Sequence, residues 1–167
     1  YSQWLIAHEL GHQWWGNLIT CNSFEHIWLN EGFARFSEAL WEEEYNGFQA
    51  YKSYWVNHAY YGPGTVYVEN TSNVSEIFNL NLTYNKAGWV LHMLRGVMGD
   101  DAFFSTLKSY GSNDSLAYAS ASTEDFKLVC ESQSGLNLET FFQQWIYGEY
   151  YPKYALSWEI SETQELI

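Results

Sequence analysis

Apolar residues recur along most of the chain at every third or fourth position, and short stretches rich in Gly, Asn and Ser interrupt them. This spacing is typical of amphipathic α-helices separated by breaks. It predicts helices over 1–15, 28–45, 48–59, 84–98, 100–110, 122–132 and 137–147, with a short helical turn over 74–79. The stretches between them, including 18–24, 60–73 and 111–121, are predicted connections. We therefore expect a mainly α-helical unit over residues 1–149.

The pattern changes after Tyr150. Apolar side chains then occupy every second position, at Tyr154, Leu156, Trp158 and Ile160. A period of two residues is typical of a β-strand with one buried face. We predict that residues 150–167 begin a following β domain or form an extended tail.

The first predicted helix carries a His-Glu-x-x-His motif at positions 8–12. Residues four apart lie on the same helix face, so the imidazoles of His8 and His12 can converge on one small ion. Glu9 projects beside that face, where it can reach a water molecule at the ion without being a ligand. Chance occurrence of this motif in a chain of this length is about 1% or less.

A catalytic zinc site needs a third protein ligand and one open position. Eighteen residues separate His12 from Glu31, which lies in the second predicted helix. That spacing allows the first helix to end, a short loop to turn, and the second helix to bring Glu31 back. Two histidines and one carboxylate are a mixed ligand set that suits Zn²⁺. We therefore predict one zinc ion held by His8, His12 and Glu31.

These features resemble the M1 family of zinc aminopeptidases, within the gluzincins. The resemblance rests on the motif, the eighteen-residue spacing and the run Trp-Leu-Asn-Glu-Gly-Phe-Ala at 28–34. The flanking run His-Gln-Trp-Trp-Gly-Asn-Leu-Ile-Thr at 12–20 is also similar to that family's usual sequence. The resemblance is highly specific over residues 1–40 and weaker up to about 150. It implies the helical lobe of a thermolysin-like catalytic domain, with a β-sandwich domain following it.

The resemblance also implies catalytic roles. Glu9 would act as the general base, taking a proton from the attacking water and passing it to the leaving amine. Tyr84 matches the tyrosine of the family's Tyr-x-Lys-Gly run, which stabilises the oxyanion. Ala87 stands where that run usually has Gly, whereas Tyr84 and Lys86 are present. Tyr84 is one of fourteen tyrosines, so its role rests on the resemblance.

Supporting residues are predicted near the ligands. Glu38 follows Glu31 by two helical turns and lies on the same face, so it could hold the free ring nitrogen of a zinc-binding histidine. A solvated carboxylate is the equally weighted alternative for Glu38. Asn30 is a weaker candidate for a similar supporting part. The other histidines have no partner spacing and are expected to be packed or surface residues: His26, His58 and His92.

Composition and charge argue for some classes of protein and against others. The net charge is −13, from 20 acidic and 7 basic residues, which argues against nucleic-acid binding. The chain is 47% hydrophobic and 20% aromatic, which indicates a folded domain with faces that pack against something more. No run has the length of a transmembrane span. Cys21 and Cys130 are expected to be free thiols, with a single bridge left open.

We therefore expect a zinc metallopeptidase that hydrolyses the N-terminal peptide bond of peptides. Tyr1 enters directly into a helix pattern, and the family's Gly-x-Met-Glu-Asn loop, which anchors the substrate amino group, is absent from the sequence. We interpret the chain as a piece of a catalytic domain that lacks its upstream lobe, is inactive or weakly active alone, and exposes an aromatic-rich face. The alternatives are another gluzincin hydrolase, either an endopeptidase or an epoxide hydrolase, and a catalytically inactive zinc-binding module.

Overall fold

The longest helix of the fold is α2 (Trp28–Asn46), which contacts helices on several sides. The computed structural model describes residues 2–153 and 155–158. The other α-helices among the described residues are α1 (Gln3–Gly11), α3 (Phe48–His58), α4 (Val74–Ile77), α5 (Ala87–Met98), α6 (Asp100–Gly111), α7 (Thr123–Ser134) and α8 (Glu139–Trp145), and a short 3-10 helix spans Phe24–His26. Helices α1, α3 and α5 pack directly on α2, while α6 packs on α7. The fold is mainly α-helical, as the periodicity predicted.

Two glycines let the neighbours of α2 approach it closely. A Cβ atom on Gly11 would lie 2.7 Å from Ser37 Oγ, and one on Gly32 would lie 2.6 Å from the Cβ of Ala87. Both distances are shorter than side-chain contacts allow, so larger residues would push α1 and α5 away from α2. The close approach of α1 to α2 brings the motif of the first helix near Glu31.

Aromatic side chains fill the core on one side of α2. Phe33 is 1% exposed, and its ring centroid lies 4.8 Å from that of Trp15 and 5.0 Å from that of Phe126. Tyr110 in α6 packs against Phe126 in α7, with 5.1 Å between the ring centroids. Residues from both ends of the described chain therefore share one hydrophobic core.

A short parallel pairing joins two stretches that were predicted as connections. Strand β1 (Ile19–Cys21) pairs with strand β2 (Ala119–Ala121), and Ile19 lies opposite Ala119. The predictions for 18–24 and 111–121 were wrong at these residues. Three residues are too few to show a strand period, and the partner lies about one hundred residues away, so no local pattern could indicate the pairing.

The segment before α5 also differs from the prediction. An α-helix was expected from Tyr84, whereas Leu80–Lys86 forms a π-helical segment that continues into α5. The Asn79 side chain accepts hydrogen bonds from the backbone N–H groups of Asn81 and Leu82, which fixes the start of this segment. Tyr84 therefore sits on an irregular turn, a feature that is frequent at functional sites.

The start of α7 follows its local signal, whereas α1, α4 and α8 are shorter than predicted. Ser122 and Asp125 form the predicted capping box at the start of α7. Helix α1 ends at Gly11 rather than at residue 15, because Gln13 and Trp14 donate to the carbonyls of Leu10 and Gly11 in tighter turns. No helix among the described residues is both long and apolar enough to cross a membrane.

Several apolar side chains are exposed on α1 and just after it, and two of them are aromatic. An aromatic-rich face beside the candidate ligands stays a prediction. The exposed side chains on or just after α1 are Trp4, Leu5, Ile6, Leu10 and Trp14. An open groove of about 530 Å³ runs between α1 and α2 beside Ile6, Leu10 and Trp41. We call the exposed residues Trp4, Leu5, Ile6, Leu10 and Trp14 the α1 apolar face.

The predicted strand lies mostly at the limit of the described chain. Residues 151–153 and 155–158 lie in no helix or strand. Tyr154 and Ile160 of the alternating pattern lie outside the described residues. A following β domain therefore stays a prediction.

Candidate metal centre

Three side chains converge between α1 and α2. Nε2 of His8 lies 3.4 Å from Glu31 Oε2, and Nε2 of His12 lies 3.3 Å from the same oxygen. The three candidate ligand atoms all lie within 4.8 Å of one another. The two imidazole rings are nearly perpendicular, at 85°, with centroids 4.8 Å apart. The structure thus brings together the three residues that the sequence predicts as ligands.

The outer ring nitrogens of both histidines are already hydrogen-bonded. Nδ1 of His8 donates to Glu38 Oε1 at 2.8 Å, and Nδ1 of His12 donates to the carbonyl of Trp15 at 3.0 Å. Both acceptors lack a hydrogen, so each Nδ1 carries one. In the neutral rings, each Nε2 then has a lone pair directed toward the common point beside Glu31, the arrangement that metal-binding histidines use.

The distances fit a tetrahedral ion. Zinc bonds to histidine nitrogen and carboxylate oxygen are about 2.0–2.1 Å, and ligands at tetrahedral corners are about 1.6 times the bond length apart. This places neighbouring ligand atoms about 3.3–3.4 Å apart. The two separations from Glu31 to the histidines are 3.3 and 3.4 Å, and the two histidine nitrogens lie within 4.8 Å of each other. The donor set and the two separations from Glu31 therefore fit Zn²⁺.

Electrostatics hold the three groups together. Burial opposes charge on His8, but hydrogen bonds with Glu31 and Glu38 outweigh it and raise its pKa from 6.5 to about 9. Burial also opposes ionisation of Glu31, and the hydrogen bonds with His12 and His8 outweigh it, lowering its pKa to about 2. Glu31 is thus a carboxylate at neutral pH, and a metal ion would compete with protons for the rings.

Glu38 lies deeper than the three ligands. It is 3% exposed, and it accepts hydrogen bonds from the Tyr54 hydroxyl at 2.8 Å and from Arg35 at 2.9 and 3.1 Å as well as from His8. Burial alone would raise the pKa of Glu38, but the His8 hydrogen bond, Arg35 and Tyr54 together hold it below the ordinary value. Glu38 makes the contact expected of a supporting carboxylate, and it is not solvated.

Tyr84 lies beside the cluster, and Glu9 follows His8 on α1. The Tyr84 ring stacks on that of His8, with centroids 5.9 Å apart and 15° between the planes. Burial raises the pKa of Tyr84, and the negative charges of Glu31 and Glu9 add to this effect. Glu9 itself is exposed on α1. A protonated hydroxyl therefore belongs to the ring that stacks on His8, and an exposed acidic side chain follows His8 in the sequence.

Asn30 has other partners than the predicted one. Its Oδ1 accepts from the backbone N–H of Cys21 at 3.0 Å, and its Nδ2 donates to Thr20 at 3.3 Å. Asn30 thus ties α2 to strand β1, because its position one residue before Glu31 turns its side chain toward the strand. The outer nitrogen of His12 is bonded to Trp15 instead.

The remaining histidines are packed residues, as expected. Their Nδ1 atoms lie near Thr123 for His26, the carbonyl of Tyr54 for His58, and the Tyr51 hydroxyl for His92. Cys21 and Cys130 are free thiols. Burial raises the pKa of both thiols, so neither is an activated nucleophile.

Sequence reasoning missed three residues next to Glu38 and Tyr84. Arg35 lies three residues before Glu38 on α2, a spacing that could have indicated an ion pair. Tyr54 in α3 and Asn85 beside Tyr84 gave no signal, because their contacts depend on how separate helices pack.

Comparison with known proteins decides the family. The model described as "Peptidase family M1 domain" matches residues 2–145. The chain belongs to peptidase family M1. It is 33% identical to Aminopeptidase M1-A of Oryza sativa subsp. japonica, over 89% of this chain and 18% of that protein. It is 29% identical to Aminopeptidase N of Lactococcus lactis subsp. lactis, over 89% of this chain and 19% of that protein.

Solved structures agree with the family. The M1 zinc metallopeptidase of Deinococcus radiodurans superposes with a TM-score of 0.76 at 29% identity, covering 91% of this chain and 34% of that one. Yeast LTA4 hydrolase has the same fold here, with a TM-score of 0.74 at 22% identity, over 92% of this chain and 27% of that one. This family member thus spans about a fifth of the length of its curated relatives.

Proposed function

We propose that this chain is the metal-binding part of a zinc metallo-aminopeptidase, which hydrolyses the N-terminal peptide bond of peptides. The observation that carries the proposal is the convergence of His8, His12 and Glu31 on one point at separations that fit Zn²⁺. A zinc ion bound there would supply Lewis acidity, which polarises a peptide carbonyl and makes water more acidic.

The chain's own residues supply the proton transfers and the charge stabilisation. Glu9 is the general base, which takes the proton of the attacking water and delivers it to the leaving amine. Tyr84 keeps its proton because burial and the nearby carboxylates raise its pKa, so its hydroxyl can donate a hydrogen bond to the oxyanion. Glu38 orients His8 through Nδ1 and stabilises the tautomer that leaves Nε2 free.

The relatives support the choice of peptide N-termini as substrates. The curated relatives from rice and Lactococcus lactis are named aminopeptidases. A mutant of the M1 zinc metallopeptidase from Deinococcus radiodurans has been solved with a Tyr-Ser-Ala substrate, and a two-domain M1 zinc metallopeptidase mutant has been solved with L-tryptophan or L-arginine. We propose the same substrate class for the protein that contains this chain.

We also propose that other parts of the same protein complete the substrate site. This chain covers 18% of its relative from rice, and the α1 apolar face is open to solvent. A neighbouring lobe of the same protein would exclude water from the centre and supply the group that holds the substrate's amino end.

Substitution of Glu9 by Gln tests the mechanism in the protein that contains this chain. We expect bound zinc to stay at one per protein, while turnover of an amino-acid anilide falls about 10²- to 10⁴-fold, because the general base is lost. Glu44→Gln, also on an exposed carboxylate, is the matched control and should change neither quantity.

Three other results would contradict part of the proposed function or favour a different one. Unchanged turnover in the Glu9→Gln protein would remove Glu9 from its role. An unsubstituted protein that binds zinc but hydrolyses neither anilides nor peptides would favour an inactive zinc-binding module. Preference for peptides with a blocked amino end would favour an endopeptidase.

A further inference from the structure

Arg35 uses both edges of its guanidinium group. Nη1 donates to the two oxygens of Glu38 at 3.1 and 2.9 Å. Nε and Nη2 donate to Asn85 Oδ1 at 2.9 and 2.7 Å. The Arg35 side chain is 14% exposed, so these contacts lie largely out of water. One side chain thus links α2 to the π-helical segment Leu80–Lys86.

The two hydrogen-bond partners of Arg35 are each next to a residue of the candidate centre. Glu38 accepts the Nδ1 hydrogen of His8, so the guanidinium holds the carboxylate that orients that ring. Asn85 is the next residue after Tyr84, on a segment with irregular helical hydrogen bonding. Arg35 is therefore within two contacts of His8 and adjacent to the backbone that carries Tyr84.

We propose that Arg35 is a positioning residue that fixes His8 and Tyr84 relative to each other. The role rests on the proposed function, because it assigns one residue to the metal ligand and the other to oxyanion stabilisation. The hydrogen bonds of Arg35 go to Glu38 and Asn85 and not to the candidate ligands themselves. It acts through Glu38 on metal affinity and through Asn85 on the Tyr84 hydroxyl.

The chemistry of the guanidinium explains why one residue can serve both ends. Its planar group offers donors in a fixed fork, so two acceptors at different edges are held at a set angle. A lysine carries the same charge on one nitrogen and cannot reach both acceptors with that geometry. A lysine at position 35 should therefore keep the contact with Glu38 and lose the contact with Asn85.

Three variants of the protein that contains this chain test the role. Arg35→Met should weaken zinc affinity about 10- to 100-fold, measured by competition with a chelator, because Glu38 loses a partner. At saturating zinc it should also lower kcat about 10- to 100-fold with little change in KM, because the Tyr84 hydroxyl is misplaced. Asn85→Ala should lower kcat similarly and leave zinc affinity within about threefold. Arg35→Lys should resemble Asn85→Ala.

The double variant and a matched control separate positioning from general stability. Combining Arg35→Met with Asn85→Ala should lower kcat no further than Arg35→Met alone, because both act on Tyr84 through one contact. Arg95→Met is the control, since Arg95 is also largely buried and paired with carboxylates, Glu43 and Asp100, away from the centre. It should leave zinc affinity and kcat unchanged.

The outcomes distinguish this inference from the proposed function. If the unsubstituted protein binds no zinc or hydrolyses no aminopeptidase substrate, the proposed function fails and Arg35 has no role to position. If the unsubstituted protein does both and Arg35→Met keeps its zinc affinity and kcat, only the positioning role is overturned. Additive losses in the double variant would also overturn the link through Asn85.

Discussion

Helix α2 buries two faces by different means. One face carries Phe33 and Phe36, each 1% exposed, within a cluster of aromatic rings. The other carries Glu31 and Glu38, which are 9% and 3% exposed although each is a carboxylate. The aromatic face is stabilised by contact area, which has no required direction. The carboxylate face is stabilised only where donors point at each oxygen.

The aromatic face of α2 contributes mainly to stability, and its carboxylate face contributes mainly to the candidate centre. On the aromatic face, volume decides whether a substitution is tolerated. On the carboxylate face, hydrogen-bond partners decide, and each partner belongs to the candidate centre or supports it: His8, His12, Arg35 and Tyr54. Substitutions on the aromatic face should therefore change the free energy of unfolding, whereas substitutions on the carboxylate face should change zinc affinity.

The largest effect should come from the aromatic face. Phe33→Ala removes a fully buried ring that packs against Trp15 and Phe126, and we expect the free energy of unfolding to fall by about 3–5 kcal/mol. Urea denaturation followed by tryptophan fluorescence measures this. Phe33→Leu is the control and should cost clearly less, because it fills most of the same volume. If Phe33→Ala lowers the free energy of unfolding by less than about 1 kcal/mol, the aromatic face does not supply the stability assigned to it.

The next effect should come from the carboxylate face. Glu31→Gln keeps the shape of the side chain but removes the anionic ligand, so zinc affinity should fall at least about 100-fold, or about 2.7 kcal/mol. Chelator competition measures the affinity. The metal-free variant should unfold with a smaller loss of stability than Phe33→Ala. Equal zinc affinity in the variant and the unsubstituted protein would exclude Glu31 as a ligand.

A smaller effect is expected where α2 ends in a charged cluster. Arg95 in α5 donates to Glu43 at 2.9 Å and to Asp100 at 2.8 Å, and its guanidinium lies 5.1 Å from the centre of the Tyr51 ring. Arg95→Met should lower the free energy of unfolding by about 1–2 kcal/mol, because charged hydrogen bonds are lost while the apolar stem is retained. Chemical denaturation measures it. An unchanged midpoint would show that this cluster contributes nothing.

The smallest effect concerns an exposed member of that cluster. The Arg95 hydrogen bond lowers the pKa of Asp100 below its ordinary 3.8. A lowered folded-state pKa gives stability that is present above about pH 4 and is lost as the pH falls through the folded-state value. Asp100→Asn should therefore cost less than about 1 kcal/mol at pH 7, because solvent screens the pair. Denaturation at pH 7 and pH 3 should show this cost shrinking at pH 3, and a constant cost would contradict the pairing.

The sequence by itself determined the features that depend on neighbouring residues. Helix periodicity predicted α2, α3 and α7 within two or three residues, and the capping box of Ser122 and Asp125 formed as expected. The four-residue spacing of His8 and His12 placed their rings together, because one helical turn joins them. These features follow from backbone geometry within a few residues, which any α-helix shares.

Tertiary structure decided the contacts between residues that are far apart in the chain. Asn30 and Glu31 are neighbours on α2, yet one binds strand β1 and the other faces the histidines, because the rotation of α2 against α1 decides it. The β1–β2 pairing, the π-helical segment at Tyr84 and the Arg35–Asn85 contact likewise depend on how separate elements pack. Gly11 and Gly32 permit the close approach of α1 and α5 to α2, and no local period in the sequence records contacts of this kind.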